Sequence, residues 1–382
     1  MTFLASQPGC VQSLQPAAVP TDLCTSLARC PKHMRDGPCG GIAPDGSCEA
    51  DAALTCPYLA ALAALPWRNP CVPAGRPPPR SAGRLEAALR AGSFVVIAEA
   101  YTPDSADLSG LVARYAALAP YVTAVNIAEH ALASPHAATL AAAALLERAG
   151  VETIVNMTCR DRNRIAAQGD LLGAAAVGVK NVFCVTGDHP CRGDDRGARG
   201  VYDLDSFGLI RLARQLCDTE RLVGGRRLET PPRLFVGAAA NPFSPPYEVQ
   251  AERVAAKVVA GADFIQTQAV FDLPALGAFI DQLHAFKALD RAWLIVGVAI
   301  ITSLEQARWL QRDVPGARVP DALVDRLATI PAQRQRAYGL DYTLELIQRL
   351  RLTPGVSGVL LFPLHGDIDS LAELVPRLEP ER

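Results

Sequence analysis

The sequence predicts a (β/α)₈ barrel preceded by a small cysteine-rich module. After about residue 84, eight short apolar segments recur at fairly regular intervals, and helical stretches lie between them. Strands that are buried on both faces read as near-continuous apolar runs. Eight strand–helix units over roughly 290 residues suit a closed barrel. A doubly wound sheet is the main rival, but no Gly-x-Gly-x-x-Gly follows the first strand, which weakens a dinucleotide-binding interpretation.

The elements of the barrel can be assigned in chain order. The predicted strands are Phe94–Tyr101, Ala124–His130, Glu152–Thr158, Asn181–Gly187, Leu234–Ala240, Phe264–Val270, Leu294–Ile300 and Gly358–Leu364. The helical stretches between them include Ala133–Ala149, Arg160–Ala176, Ser206–Cys217, Tyr247–Ala260, Leu273–Leu289, Ser303–Gln311 and Arg336–Leu350.

The residues before the barrel divide into three parts. Residues 1–22, rich in Gln, Pro and Ala, are predicted to be a flexible arm, and residues 23–68 form the cysteine-rich module with a short helix near Pro57–Leu65. Residues 69–83 contain five prolines and are predicted to be a linker, because proline interrupts both helices and central strands. The barrel is then assigned to residues 84–382.

Composition excludes several classes of function. The formal net charge is −2 and no basic stripe is present, so we expect no nucleic-acid binding. The longest apolar runs have the length of strands, so we expect no membrane span. The N-terminus lacks a positive region followed by a continuous apolar stretch, which argues against a secretory signal. Together these features predict a cytoplasmic protein.

Eleven cysteines are present, and six of them lie between Cys24 and Cys71. Without a leader, such a cluster more often binds metal than forms disulfides. Cys30, Cys39, Cys48 and Cys56 are the predicted ligands of Zn²⁺ or a [4Fe–4S] cluster. Their spacing resembles neither a zinc ribbon nor a compact ferredoxin motif, and a reduced lid without metal is the alternative.

Polar residues gather where the predicted strands end, which is where barrel enzymes place their active sites. In chain order these residues are Glu99; Glu129 and His130; Asn156, Thr158 and the run Arg160–Arg164; Thr186, Gly187 and Asp188; Asn241; Gln266 and Gln268; and His365.

Each of these residues also has a purely structural interpretation. Glu99 could pair with an arginine, Asp188 could cap a loop, and Gln268 could satisfy buried backbone groups. Three arginines follow the third strand, and they could form a solvated first helical turn. Cations at a helix N-terminus oppose the macrodipole, however, so the cluster favours an anionic ligand or an acidic partner.

These residues carry a resemblance to methylenetetrahydrofolate reductases of the kind found in acetogen-like bacteria. It covers about residues 85–380. The matching segments are Asn156–Arg164, Gln168–Ala174, Val185–Asp188, Lys257 with Gly261–Gln268, and Phe271-Asp272. The segments Cys30–Lys32, Gly37–Gly41, Asp45–Glu49 and Cys56 look like the cysteine-rich subunit or domain that accompanies some of these reductases, fused here in front of the barrel.

The resemblance implies a flavin-dependent reduction of 5,10-methylenetetrahydrofolate to 5-methyltetrahydrofolate, or the reverse oxidation, with FAD or alternatively FMN. It implies that Glu99 is the general acid, that Asp188 lies beside flavin and pterin, and that Gln268 contacts the pterin. The expected cofactor-binding residues are Asn156, Thr158, Arg160, Arg164, Thr186, Gly187, Asp188, Asn241 and Lys257. The expected substrate-binding residues are Glu99, Gln268, Phe271 and Phe362.

Departures from the family pattern leave alternatives open. Thr186 and Asn156 stand where many members have Arg and His, which leaves the flavin and the electron donor undetermined. The alternatives are a methyltransferase acting between tetrahydrofolate and a corrinoid protein, and a non-catalytic folate-binding subunit. An electron-donor protein and a homo-oligomer are the expected partners. The sequence does not decide whether the module covers its own barrel or a neighbour's.

Overall fold

The computed structural model describes residues 28–65, 67–314 and 316–378, and the predicted arm of residues 1–22 lies outside them. Eight parallel strands close into a barrel in chain order, with the last strand pairing with the first. The predicted (β/α)₈ fold is therefore confirmed. A separate antiparallel pair precedes it. The strands are β1 (Ser47–Cys48), β2 (Asp51–Thr55), β3 (Val95–Tyr101), β4 (Ala124–Ala128), β5 (Thr153–Thr158), β6 (Asn181–Val185), β7 (Phe235–Ala240), β8 (Phe264–Ala269), β9 (Trp293–Ile300) and β10 (Val356–Pro363).

The helices of the described residues surround the barrel. They are α1 (Arg84–Arg90), α2 (Ser109–Leu118), α3 (Thr139–Arg148), α4 (Arg164–Ala176), α5 (Ser206–Arg214), α6 (Gln250–Ala260), α7 (Leu273–Ala285), α8 (Leu304–Asp313), α9 (Asp321–Thr329), α10 (Ala332–Arg351) and α11 (Ile368–Leu374). Within the described part of the chain, no helix combines the length and the apolar character that crossing a bilayer requires.

Two helix starts were predicted too early. The stretch from Ala133 does not become helical until Thr139, because His130, Leu132 and Ala133 adopt positive φ angles. The stretch from Arg160 becomes helical only at Arg164, where Asn163 caps α4 by accepting hydrogen bonds from two backbone N–H groups.

Aromatic side chains fill the lower half of the barrel interior. Phe235 stacks on Phe264 with ring centroids 5.0 Å apart, and Trp293 and Phe183 lie beside this pair. A Cβ atom at Gly237 would stand 2.3 Å from the Phe264 ring, so only glycine leaves room for the stack. We call the opening at the C-terminal ends of the strands the mouth of the barrel. The interior below it is a packed core rather than a channel.

The N-terminal module, residues 28–68, docks on the outside of α5 and α6. Trp67 stacks on Phe207 of α5 at 6.2 Å with an interplanar angle of 10°. The backbone N–H groups of Arg35 and Asp36 donate to the Asp205 carboxylate at 3.0 and 2.7 Å. The module therefore covers its own barrel, a point that the sequence left open.

Candidate active site

The first barrel strand carries a buried carboxyl group. Glu99 is 5% exposed, and Asn126, its register partner on β4, donates from Nδ2 to Glu99 Oε2 at 2.5 Å. The Tyr115 hydroxyl donates to the Glu99 backbone carbonyl at 2.6 Å. Burial raises the pKa of Glu99 to about 8, and the Asn126 hydrogen bond opposes this only in part. The described residues supply an amide partner instead of an arginine, so the carboxyl group keeps its proton at neutral pH.

Glu129, at the end of the next strand, has the opposite environment. Its two carboxylate oxygens each lie 2.6 Å from a nitrogen of the Arg162 guanidinium, and the Thr158 backbone N–H donates to it at 2.6 Å. Burial alone would raise the pKa of Glu129, but Arg162 and Thr158 hold it below its ordinary value. Glu129 is therefore an ionised structural group that orients Arg162.

The arginine cluster is paired internally. Arg160 binds the Asp161 carboxylate through Nε at 2.7 Å and Nη2 at 2.8 Å, and Arg164 binds Asp203 at 3.0 Å. Only Arg164 lies in the first turn of α4, so the argument from the helix macrodipole applies to that residue alone. The pairing accounts for the cluster without a ligand, and the cofactor-binding roles of Arg160 and Arg164 stay predictions.

The segment after β6 lies against the end of β5. Gly187 has φ +87°, and a Cβ atom there would stand 3.0 Å from Thr158 Cβ and 3.1 Å from Arg160 Cβ. The neighbouring ends of β5 and β6 thus bring together Thr158, Thr186, Gly187 and the partly buried Asp188. We call these four residues the first sector of the barrel mouth. Burial raises the pKa of Asp188, while Lys32 lowers it.

A second sector lies around β8 to β10. A Cβ atom at Gly297 would stand 2.7 Å from the Phe362 ring and 2.8 Å from the backbone carbon of Gln268, so these two predicted substrate residues are neighbours. Gln268 is exposed at the mouth. Gln266, two positions earlier in β8, is 2% exposed, and neither of its amide atoms has a partner among the described residues.

Sequence reasoning assigned no role to Asn126 or Gln266. The signal for both was present in the alternation of the strands. Asn126 stands opposite Glu99, and Gln266 lies two residues before Gln268. Each of these amides stands in a barrel strand among apolar residues. Such an amide indicates that polar side chains form a layer inside the barrel.

Three further predicted residues make contacts near other parts of the barrel. Lys257 on α6 is buried and donates to the Ala239 carbonyl at 2.6 Å. The Asn241 amide donates to Ser244 Oγ at 2.7 Å, and Phe271 packs in the apolar layer between strands and helices. Their binding roles remain predictions.

A lysine of the N-terminal module enters the first sector of the mouth. Lys32 is 4% exposed, its Nζ donates to the Gly187 carbonyl at 2.8 Å, and it pairs with Glu49 of the same module. The Cys191 thiol, in the barrel loop after Asp188, donates to the Glu49 carbonyl at 3.4 Å. The module is thus part of the rim of the mouth.

The predicted metal centre of the module rests on four cysteines whose arrangement the structure describes. Cys30, Cys39, Cys48 and Cys56 are free, but no three Cys, His, Asp or Glu side chains of the described residues are arranged to hold a metal ion. Burial is the largest cause of the raised pKa of Cys30, Cys48 and Cys56, and the neighbouring Cys39 raises each of these pKa values further. The thiols of Cys30, Cys39, Cys48 and Cys56 thus influence one another, and both Zn²⁺ or [4Fe–4S] at these residues and the alternative of a reduced lid without metal stay predictions.

Comparison with known sequence families gives two matches. The family described as methylenetetrahydrofolate reductase matches residues 84–372, which is most of the chain and the whole described barrel up to α11. A second family, described as methylene-tetrahydrofolate reductase C terminal, matches residues 14–68. The second match covers the cysteine-rich module, which here precedes the barrel.

Individual relatives are distant. A probable methylenetetrahydrofolate reductase (NADPH) from Caenorhabditis elegans is 23% identical over 243 residues, which are 62% of this chain and 34% of that protein. The matched part is thus about a third of that relative's length. A solved structure from Clostridium thermocellum, an uncharacterized protein described as binding two copies of 5-methyl-5,6,7,8-tetrahydrofolic acid, has a TM-score of 0.51 and 11% identity. It covers 77% of this chain and 98% of its own, and the likeness shows a shared fold.

Proposed function

The chain belongs to the methylenetetrahydrofolate reductase family, and from this premise we propose that it catalyses the flavin-dependent reduction of 5,10-methylenetetrahydrofolate to 5-methyltetrahydrofolate, or the reverse oxidation. The observation that carries the proposal is the state of Glu99. It is a buried carboxyl group at the barrel mouth, held by an amide, with a pKa of about 8. A carboxyl group in this state can donate a proton at neutral pH.

The reaction needs such a donor. The methylene group bridges N5 and N10 of the substrate, and protonation at N10 promotes opening of the five-membered ring. The open form is an N5-iminium cation that accepts hydride at its exocyclic carbon. Glu99 supplies the proton to N10 in the forward direction and takes it back in the reverse direction, by microscopic reversibility.

Asp188 complements this acid with negative charge. Asp188 directly follows Gly187, whose Cα lies against Thr158. The pKa of Asp188 is raised by burial and lowered by Lys32 and Arg160, so the cations favour the ionised form. An ionised Asp188 would stabilise the iminium cation, because opposite charges attract strongly where water is excluded.

The first sector also suits a flavin. Because Gly187 has no Cβ atom, its backbone packs closely against Thr158 and Arg160 at this end of the barrel. Asn156 Oδ1 is buried without a partner among the described residues. Asn156, Thr158, Thr186 and Gly187 are therefore the residues that would hold the flavin ring. When bound, the flavin would supply the hydride. Arg160 is less suited to the flavin phosphates, since Asp161 already occupies its guanidinium.

The experiment that tests the proposal is an anaerobic absorbance spectrum before and after addition of methyltetrahydrofolate. We expect the two bands of an oxidised flavin, either in the purified protein or after FAD or FMN is supplied, and we expect them to bleach with methyltetrahydrofolate. A protein that binds no flavin and does not respond would overturn the reductase proposal. Retained binding of methyltetrahydrofolate would then favour methyl transfer or a folate-binding subunit.

A further inference from the structure

Lys32 makes the closest polar contact between the N-terminal module and the candidate active site. The chain has four lysines, and Lys32 is the only one in residues 28–68. Its Nζ donates to the Gly187 carbonyl at 2.8 Å, across 155 positions of sequence, and pairs with the Glu49 carboxylate. A buried ammonium group is costly unless it is paired, so these two contacts hold the side chain where it is.

The segment that Lys32 contacts is fixed on its other side by the barrel. Gly187 lies against Thr158 and Arg160, with no room for a Cβ atom. The next carbonyl, that of Asp188, accepts a hydrogen bond from the Tyr202 hydroxyl at 3.0 Å and lies 3.5 Å from Arg160 Nη1. The barrel therefore holds one side of this turn, and Lys32 holds the other.

We propose that Lys32 is a positioning residue for Asp188, through which the N-terminal module sets the place and the charge of that carboxyl group. The proposal rests on the proposed function, since it takes Asp188 as a residue of the active site. Under this proposal, a residue of the N-terminal module contributes to the candidate active site of the barrel.

The charges around Asp188 agree with this role. The charged groups with the largest effects on the pKa of its carboxyl group are Lys32 and Glu49 from the module and Arg160 and Arg192 from the barrel. Among them Lys32 has the largest effect on the pKa of Asp188, lowering it against the raising effect of burial, and Glu49 has the next largest and raises it. The module thus supplies both the cation Lys32 and the anion Glu49, and the two have opposite effects on the pKa of Asp188. Each must therefore be removed separately to isolate the effect of Lys32.

The test is a titration of the Asp188 carboxyl carbon by NMR in the full-length protein without flavin, with aspartate labelled at that carbon and the signal assigned through Asp188→Asn. We expect Lys32→Met to raise the pKa of Asp188 by about 1 or more, because Lys32 lowers this pKa and an adjacent opposite charge lowers a carboxyl pKa by about 1 to 3. Lys32→Arg keeps the charge and should leave the pKa close to that of the parent protein. Glu49→Gln should lower it.

Two comparisons make the result specific. The difference between Glu49→Gln and the double variant Lys32→Met/Glu49→Gln isolates Lys32 from the charge that its loss would leave unpaired. Lys180→Met, at the opposite end of the barrel before β6, is the matched control and should have no effect. If Lys32→Met alone fails to fold, the double variant and Glu49→Gln still decide the question.

The inference would be overturned if the pKa of Asp188 were the same in Lys32→Met as in the parent protein and the same in the double variant as in Glu49→Gln. The outcome is distinguishable from a failure of the proposed function, because the titration needs no flavin. A protein that binds no flavin but shows the shifted pKa would lose the reductase proposal and keep the positioning contact.

Discussion

In the barrel, eight parallel strands close into one sheet around an interior whose lower half is filled by aromatic side chains. In the N-terminal module, β1 and β2 are the only paired strands among the described residues, and β1 has two residues. The module is completed by contacts with another part of the chain, chiefly the Trp67 stack on Phe207 and the bonds to Asp205. Its apolar cluster includes residues of α5 and α6. The barrel therefore carries its own core, while the module shares one with its docking surface.

The barrel and the module also differ in where their buried charged groups find partners. In the barrel, Glu129 is neutralised within one bidentate pair, and Glu99 is kept protonated by burial. In the module, Lys32 and Asp36 find partners in the barrel, at Gly187 and Arg211. We expect changes in the barrel to affect chemistry or global stability, and changes in the module to affect docking first.

The largest expected effect concerns chemistry in the barrel. Glu99→Gln should lower the rate of flavin reduction by methyltetrahydrofolate at least about 100-fold, because general acid–base catalysis contributes about 10² to 10⁴. The amide replaces a neutral carboxyl group of similar shape, so the unfolding midpoint should hardly change. Anaerobic stopped-flow absorbance measures the rate. A rate within a few-fold of the parent protein would remove Glu99 from the mechanism.

The second effect concerns global stability. Glu129→Gln should lower the free energy of unfolding by about 3 kcal/mol, because it leaves the buried Arg162 without its bidentate partner. The matched control is Asp203→Asn, which breaks the half-exposed pair with Arg164 and should cost at most about 1 kcal/mol. Urea unfolding monitored by circular dichroism compares the two. Equal losses would show that burial of the pair does not decide its importance.

The third effect should be confined to the module. Trp67→Ala removes the stack on Phe207 and the hydrogen bond to the Asp36 carbonyl, and should weaken docking by about 3 kcal/mol. Hydrogen exchange should then accelerate in residues 30–60 and stay unchanged in the barrel strands. Trp309→Ala, on α8 at the rim, is the control and should leave exchange in the module unaltered. Faster exchange throughout the barrel would contradict the division into a self-sufficient and a dependent region.

The smallest effect is a dependence of docking on pH. Burial and the neighbouring Asp205 raise the pKa of Asp36 to about 7, against the lowering effect of Arg211. Below about pH 4 the group is protonated whether the module is docked or not, whereas between that pH and about 7 only the docked form keeps the proton. Docking should therefore weaken as pH rises through this window, by at most about 1.4 kcal/mol per pH unit.

Hydrogen exchange of the module at pH 5 and pH 7, corrected for the intrinsic rates, measures this change. Asp36→Asn should abolish most of the difference between the two conditions. A module that becomes more stable toward pH 7 would contradict the assignment of a raised pKa to Asp36.

Much of the fold and part of the site could be predicted from the sequence. The observed strands lie within two residues of the predicted bounds, because each strand is a local apolar run. Glu99 and Asp188 could be singled out, since a carboxylate after such a run is visible locally. Helix starts were less predictable where residues with positive φ delay the first turn, as before Thr139.

The partners of the polar groups could not be predicted. Glu99 and Glu129 both end an apolar strand, yet one keeps its proton and the other is ionised. The difference comes from Asn126 and Arg162, 27 and 33 positions away along the chain, which strand register and the loop after β5 bring into contact. The clustering of the cysteines likewise predicted a metal site, and among the described residues no group of three Cys, His, Asp or Glu side chains is arranged to hold a metal ion.

The sequence by itself determined the barrel, the order of its strands, the family and the rim on which the polar residues gather, because these depend on local patterns and on matching segments. Only the tertiary structure decided that Glu99 is protonated, that the arginines are already paired and that Lys32 reaches Gly187. These properties depend on burial and on contacts between residues far apart in the chain, and both arise only when the barrel closes and the module docks.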